Sequence, residues 1–68
     1  MGMNIVVNGK TTETPSNATV AALVEQLQLG QKRVAVEVNQ ELVVKKDWTA
    51  RTLNEGDRVE IVSFVGGG

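Results

Sequence analysis

The sequence predicts an α+β domain: a mixed sheet of four to five strands with one α-helix packed across one face. Three observations lead there. An Asn8-Gly9 pair separates two short strand-like runs. Val20, Leu23, Val24 and Leu27 recur at the spacing of one helical face. Further β-rich runs follow that stripe, divided by turn residues. Runs of strands with a single helix imply a helix laid on one face of a sheet, not strict strand–helix alternation.

Met3 to Val7 is rich in branched apolar residues and reads as the first strand. Asn-Gly tolerates positive φ at both central positions of a type I′ turn, so Asn8-Gly9 closes a tight hairpin. Lys10 to Glu13 is the returning strand. Pro15-Ser16-Asn17-Ala18 breaks the pattern before Thr19, a natural N-cap whose hydroxyl can accept from a first-turn amide. The helix should run about three turns, and Gly30 stands where a left-handed helix-ending residue is expected. Val34 to Asn39 reads as a strand with Val34, Val36 and Val38 facing inward. Gln40-Glu41 turns the chain into a short strand, Leu42-Val43-Val44. Lys45 to Leu53 has no clear period and should hold a single helical turn, with Trp48 as a core plug. Asn54-Glu55-Gly56-Asp57 is a turn, and Arg58 to Val65 is the last strand, with Val59 and Ile61 on one face.

The first two strands are antiparallel through their turn. A right-handed crossover through the helix can set a later strand parallel to the first. With the final strand in mid-sheet beside the first, this is a β-grasp arrangement. The division expected is a β-grasp domain over 1–65 and a flexible glycine tail over 66–68.

Composition removes several classes of function. A 68-residue chain is one domain at most. It has no cysteine and no histidine, which argues against a disulfide scaffold or structural zinc. The fold must then rest on packed aliphatic side chains. Seven basic residues are scattered along a chain of net charge −1, and the aromatic residues are Trp48 and Phe64, so nucleic-acid binding is not expected. No apolar run is long enough to span a bilayer, and no secretory signal is visible. A cytoplasmic protein with no membrane partner follows as the expectation.

An ordinary active site is not found. Ser16 and Ser63 have no evident activating base. The acidic residues sit mostly at polar strand, helix or turn positions, where solvated surface roles are usual. Lys45-Lys46 reads as a solvated face. What remains is the run Gly66-Gly67-Gly68. Such a tail reaches roughly 10 Å when extended, can thread a channel that side chains would block, and leaves the terminal carbonyl carbon unhindered. A carboxylate is a poor electrophile and must be activated, for example as an acyl-adenylate. The chain carries nothing to do this itself, so a partner enzyme must. A frayed end is the bland alternative.

The residues from Thr19-Val20 to Leu27, Val34-Ala35-Val36-Glu37-Val38-Asn39 with Val43, Trp48, Leu53, Gly56-Asp57-Arg58-Val59-Glu60-Ile61-Val62 and Phe64-Val65-Gly66-Gly67-Gly68 together resemble the ThiS-type thiamine-biosynthesis sulfur carriers of the ubiquitin-like β-grasp superfamily. The likeness spans nearly the whole chain. It implies a protein cosubstrate, not an enzyme, with no bound cofactor. An E1-like adenylyltransferase would use ATP to adenylate the carboxylate of Gly68. A cysteine desulfurase persulfide would then supply sulfur to form a thiocarboxylate, and thiazole synthase would take that sulfur into the thiazole ring. Gly67 and Gly68 match the family's terminal pair, and Gly66 extends the tail.

If Val59 and Ile61 face the helix, Val62 and Phe64 face away by strand alternation. With Val65 they form the expected partner-binding surface beside the tail, unless a bulge near Ser63 turns Phe64 inward. Two alternatives share the fold. One is a sulfur carrier of another branch, serving molybdopterin synthase or tRNA thiolation. The other is a non-catalytic ubiquitin-like binding module.

Overall fold

A computed structural model describes residues 1–64. The expectations attached to Val65, Gly66, Gly67 and Gly68 lie outside the described residues. Five strands and one helix follow in the order β1 (Gly2–Val7), β2 (Lys10–Pro15), α1 (Val20–Gln26), β3 (Val34–Val38), β4 (Glu41–Val43) and β5 (Arg58–Ser63), with a 3-10 turn over Lys45–Asp47. The sheet order is β2-β1-β5-β3-β4. β1 and β5 run parallel, and the other neighbours are antiparallel. This is the mixed β-grasp sheet the sequence predicts, with the final strand beside the first.

β1 alternates as a half-buried strand should, sending Met3, Ile5 and Val7 into the core. Asn8 (φ 50°) and Gly9 (φ 81°) are both left-handed, as a type I′ hairpin requires. The second hairpin repeats the device, at Asn39 (φ 51°) and Gln40 (φ 72°). The turn therefore lies one residue earlier than Gln40-Glu41, and β4 begins at Glu41. Pairing Val36 with Val43 sends Val43 inward and leaves Val44 outside the strand and exposed.

The helix is shorter than predicted, at seven residues. Thr19 caps it as expected, its Oγ1 accepting from Ala22 N at 3.1 Å. The amides of Val20 and Ala21 donate to the carbonyls of Arg51 (2.9 Å) and Trp48 (3.1 Å). A tertiary segment thus satisfies donors that a helix start leaves without intrahelical partners. At the other end, Gln28 and not Gly30 is left-handed (φ 62°). Gln28 N donates to Glu25 O and Leu29 N to Val24 O, each at 2.9 Å. That pair of bonds is a Schellman motif. Its position is set by Leu29, which packs against the core, so the apolar contact overrode the glycine signal.

Val20, Leu23 and Val24 from the helix meet Ile5, Val36, Val38, Val59 and Ile61 from the sheet in one core. Trp48 closes it from the side, and its Nε1 donates to Val43 O at 2.9 Å. Among the described residues, no helix is long and apolar enough to cross a membrane.

Candidate functional site

The candidate site is the end of β5, the last described strand. β1 and β5 pair in parallel with Val6 opposite Arg58 and Val7 opposite Val59. β1 then turns away at Asn8, and a side chain continues the ladder. Asn8 Oδ1 accepts from Ile61 N at 2.7 Å, and Asn8 Nδ2 donates to Ile61 O at 3.1 Å. A carboxamide has the donor and acceptor of a peptide group, so Asn8 substitutes for the next rung. On the other side β3 holds β5 further along, to Phe64 N, which donates to Arg33 O at 2.9 Å.

Val59 and Ile61 are buried, whereas Val62 and Phe64 are 58% and 59% exposed. Phe64 is not turned into the core. Val62 stands opposite Ala35, and Glu60 stands opposite Glu37. Both pairs lie on the sheet face away from the helix, since Val36, Val38, Val59 and Ile61 occupy the other. Leu42, 63% exposed, extends this face from β4 opposite Glu37.

Phe64 also lines a groove of about 430 Å³ with Lys32, Arg33, Val34, Lys45 and Trp48. The adjacent Lys32 and Arg33 and the sequence-distant Lys45 thus line one groove with Phe64. Sequence reasoning missed this grouping, taking the basic residues as scattered and Lys45-Lys46 as a solvated face. The signal was absent because it depends on the β3–β5 register, which sets Arg33 beside Phe64. Asn8 was likewise read as a turn residue alone. A second hollow, of about 540 Å³, lies further down the sheet between Glu37, Glu60, Asn39, Gln40 and Arg58.

The described residues offer no set of catalytic groups. Ser16 Oγ donates to Met1 O at 2.8 Å, on the β2 side of the sheet. Among the described residues, no three His, Cys, Asp or Glu side chains gather to hold a metal. The arrangement can present an exposed apolar and charged surface at the end of β5, and the chemistry expected of Gly68 lies outside the described residues.

Comparison with known proteins gives concordant matches. The model of the ThiS family matches residues 4–68. A thiazole synthase from Paramagnetospirillum magneticum is 41% identical over 66 residues, covering 97% of this chain and 20% of that protein. The sulfur carrier protein ThiS of Bacillus subtilis is 38% identical over 63 residues, covering 91% of this chain and 96% of that protein. The crystal structure of the thiamine biosynthesis protein ThiS from Geobacter metallireducens superposes with a TM-score of 0.82 at 36% identity, covering 97% of this chain and 100% of that one. The chain spans about a fifth of the length of the thiazole synthases it matches.

Proposed function

The chain belongs to the ThiS family, and on that footing we propose that it carries sulfur for thiazole formation in thiamine biosynthesis on the carboxylate of Gly68. The observation that carries this reading is the family match running unbroken through Gly68 from a strand, β5, that is anchored in the core. The described residues supply a scaffold and a surface, and the reactive group of the proposal is the acyl terminus.

The chemistry proceeds in balanced steps. A carboxylate oxygen of Gly68 attacks the α-phosphorus of ATP on an E1-like adenylyltransferase, and pyrophosphate leaves. The acyl-adenylate is now a competent electrophile. The terminal sulfur of a cysteine persulfide, formed by a cysteine desulfurase, attacks the acyl carbon and AMP leaves. A thiol then attacks the cysteine Sγ of this acyl disulfide, the S–S bond breaks, the thiocarboxylate leaves, and the thiol and the cysteine remain as a disulfide. Thiazole synthase is the proposed acceptor of that sulfur. The relatives support this branch over molybdopterin or tRNA thiolation: two are thiazole synthases and others are ThiS carriers. The proposed setting is the cytoplasm, where ATP is available to the adenylating enzyme.

Intact-mass measurement tests the reading. The protein is incubated with ATP, the adenylating enzyme of the same genome, a cysteine desulfurase and cysteine. Replacement of one oxygen by sulfur at the C-terminus is the expected result. A chain lacking Gly68, and one with a residue appended after it, should both fail. An unchanged mass for the full chain, or equal sulfur delivery by the truncated one, overturns the proposal.

A further inference from the structure

Asn8 is followed by Gly9, and no other asparagine of the chain precedes a glycine. That pairing is chemically labile. The Gly9 nitrogen can attack Cγ of the asparagine side chain, because glycine has no Cβ to hinder the approach. The N–Cγ bond forms, the Cγ–Nδ2 bond breaks, and ammonia leaves with the proton of the Gly9 amide. Water then opens the cyclic imide. Opening at Cγ gives aspartate, and opening at the backbone carbonyl gives isoaspartate. The other asparagines precede Ile5, Ala18, Gln40 and Glu55, whose side chains crowd the attacking nitrogen. Burial does not shield Asn8. It and Gly9 are exposed, and a Cβ added at Gly9 would meet nothing within 4 Å. What restrains the carboxamide is its rung with β5, where Oδ1 accepts from Ile61 N at 2.7 Å and Nδ2 donates to Ile61 O at 3.1 Å. Ring closure turns Cγ onto the Gly9 nitrogen and expels Nδ2, so neither bond survives it.

We propose that Asn8 is a deamidation site gated by this rung. The Ile61 bonds protect it while they are formed, and local opening between β1 and β5 releases it. The parallel ladder registers two pairs, Val6 with Arg58 and Val7 with Val59, so among the described residues the asparagine is the last tie on that side of β5. The products cannot rebuild the tie. An ionised aspartate has acceptors only, so one of its oxygens would face the Ile61 carbonyl, acceptor against acceptor. Isoaspartate adds a methylene to the main chain inside a two-residue turn whose geometry sets the strand register. An opening that ends in reaction is therefore latched. The result is a permanently loosened join on one side of β5, marked by a residue of the class that isoaspartate-specific methyltransferases accept. The site is independent of the chemistry proposed for Gly68.

The test is ageing of the full chain in warm, mildly alkaline buffer, followed by intact mass and peptide mapping to locate the reacted residue. Loss of Asn8 should be about tenfold or more slower in the folded protein than in the same chain held unfolded in guanidinium chloride. At guanidinium concentrations below the unfolding transition, that loss should follow hydrogen exchange of the Ile61 amide and not that of Val38. The aged protein should accept methyl groups from S-adenosylmethionine on an isoaspartate-specific methyltransferase. Asn8→Gln, aged alongside, should not, and Asn8→Gly serves if that variant does not fold. Asn8→Asp stands in for the simpler product, and its Ile61 amide should exchange about tenfold faster than that of wild type. Equal rates of loss in folded and unfolded protein overturn the inference, as does loss that follows Val38. So do methyl acceptance by Asn8→Gln equal to that of wild type, and an Asn8→Asp protein whose Ile61 amide exchanges at the wild-type rate.

Discussion

Asn39 Nδ2 donates to Asp57 Oδ1 at 3.1 Å, joining the β3–β4 turn to the turn that launches β5. The same asparagine accepts from Arg58 N through its Oδ1 at 3.0 Å, and Asp57 Oδ2 accepts from Asn54 N at 2.8 Å. Two turns 18 residues apart in sequence are thereby fixed to each other, and with them the point where β5 enters the sheet. Asn39 is suited to this place twice over. It tolerates the left-handed φ of 51°, and its amide has both a donor and an acceptor to offer.

Substitutions at Asn39 separate those two contributions. Asn39→Gly keeps the backbone freedom and loses the side-chain bonds, and should cost about 1 kcal/mol. Asn39→Ala loses the bonds and adds left-handed strain, and should cost about 2 kcal/mol. Urea denaturation of the two variants measures the difference. Equal stabilities would mean that the turn conformation contributes nothing.

Asn8 makes the corresponding join between β1 and β5. Asn8→Gly retains a residue that accepts φ of 50° and removes both bonds to Ile61. It should destabilise the domain by about 1 kcal/mol. The loss should also be local, with hydrogen exchange at the Ile61 amide accelerated more than at Val38 or Val59. Uniform acceleration across the sheet would show that Asn8 acts only on global stability.

Much of this fold was legible in the sequence because its signals are local. The Asn8-Gly9 turn, the Thr19 cap and the stripe of Val20, Leu23, Val24 and Leu27 each depend on residues within a few positions. The errors came where a tertiary contact decided. Leu29, by packing on the core, set the left-handed helix-ending residue at Gln28 and left the glycine at 30 without its expected part. The Asn39 bonds to Asp57 and Arg58 hold the second turn one residue earlier than Gln40-Glu41. The candidate site divides in the same way. Exposure of Val62 and Phe64 follows from alternation along one strand. The approach of Lys32, Arg33 and Lys45 to Phe64 needs the register of two strands, which no local pattern encodes.

The helix end gives a prediction from that contrast. Gln28 occupies a left-handed position usually given to glycine. Gln28→Gly should therefore raise stability by about 0.5 to 1 kcal/mol. Gly30→Ala should change little. A Cβ there would meet the carboxylate of Glu25, the end of an exposed and flexible side chain that can swing aside. Thermal melts of both variants decide the matter. A stabilising Gly30→Ala with a neutral Gln28→Gly would return the helix end to Gly30.

Phe64 distinguishes a docking residue from a core residue. The residue is 59% exposed and lines a groove with Lys32, Arg33 and Lys45, so little apolar burial is lost on truncation. Phe64→Ala should change folding stability by less than about 0.5 kcal/mol. The same variant should raise the KM for adenylation about tenfold, as loss of an aromatic anchor does at protein interfaces. Val62→Ala should act in the same direction with a smaller effect, since it presents less surface. Melting curves and adenylation kinetics on the same samples read both quantities. A fall of several kcal/mol in stability on Phe64→Ala would assign the ring to the core, and adenylation at wild-type KM would remove it from the docking surface.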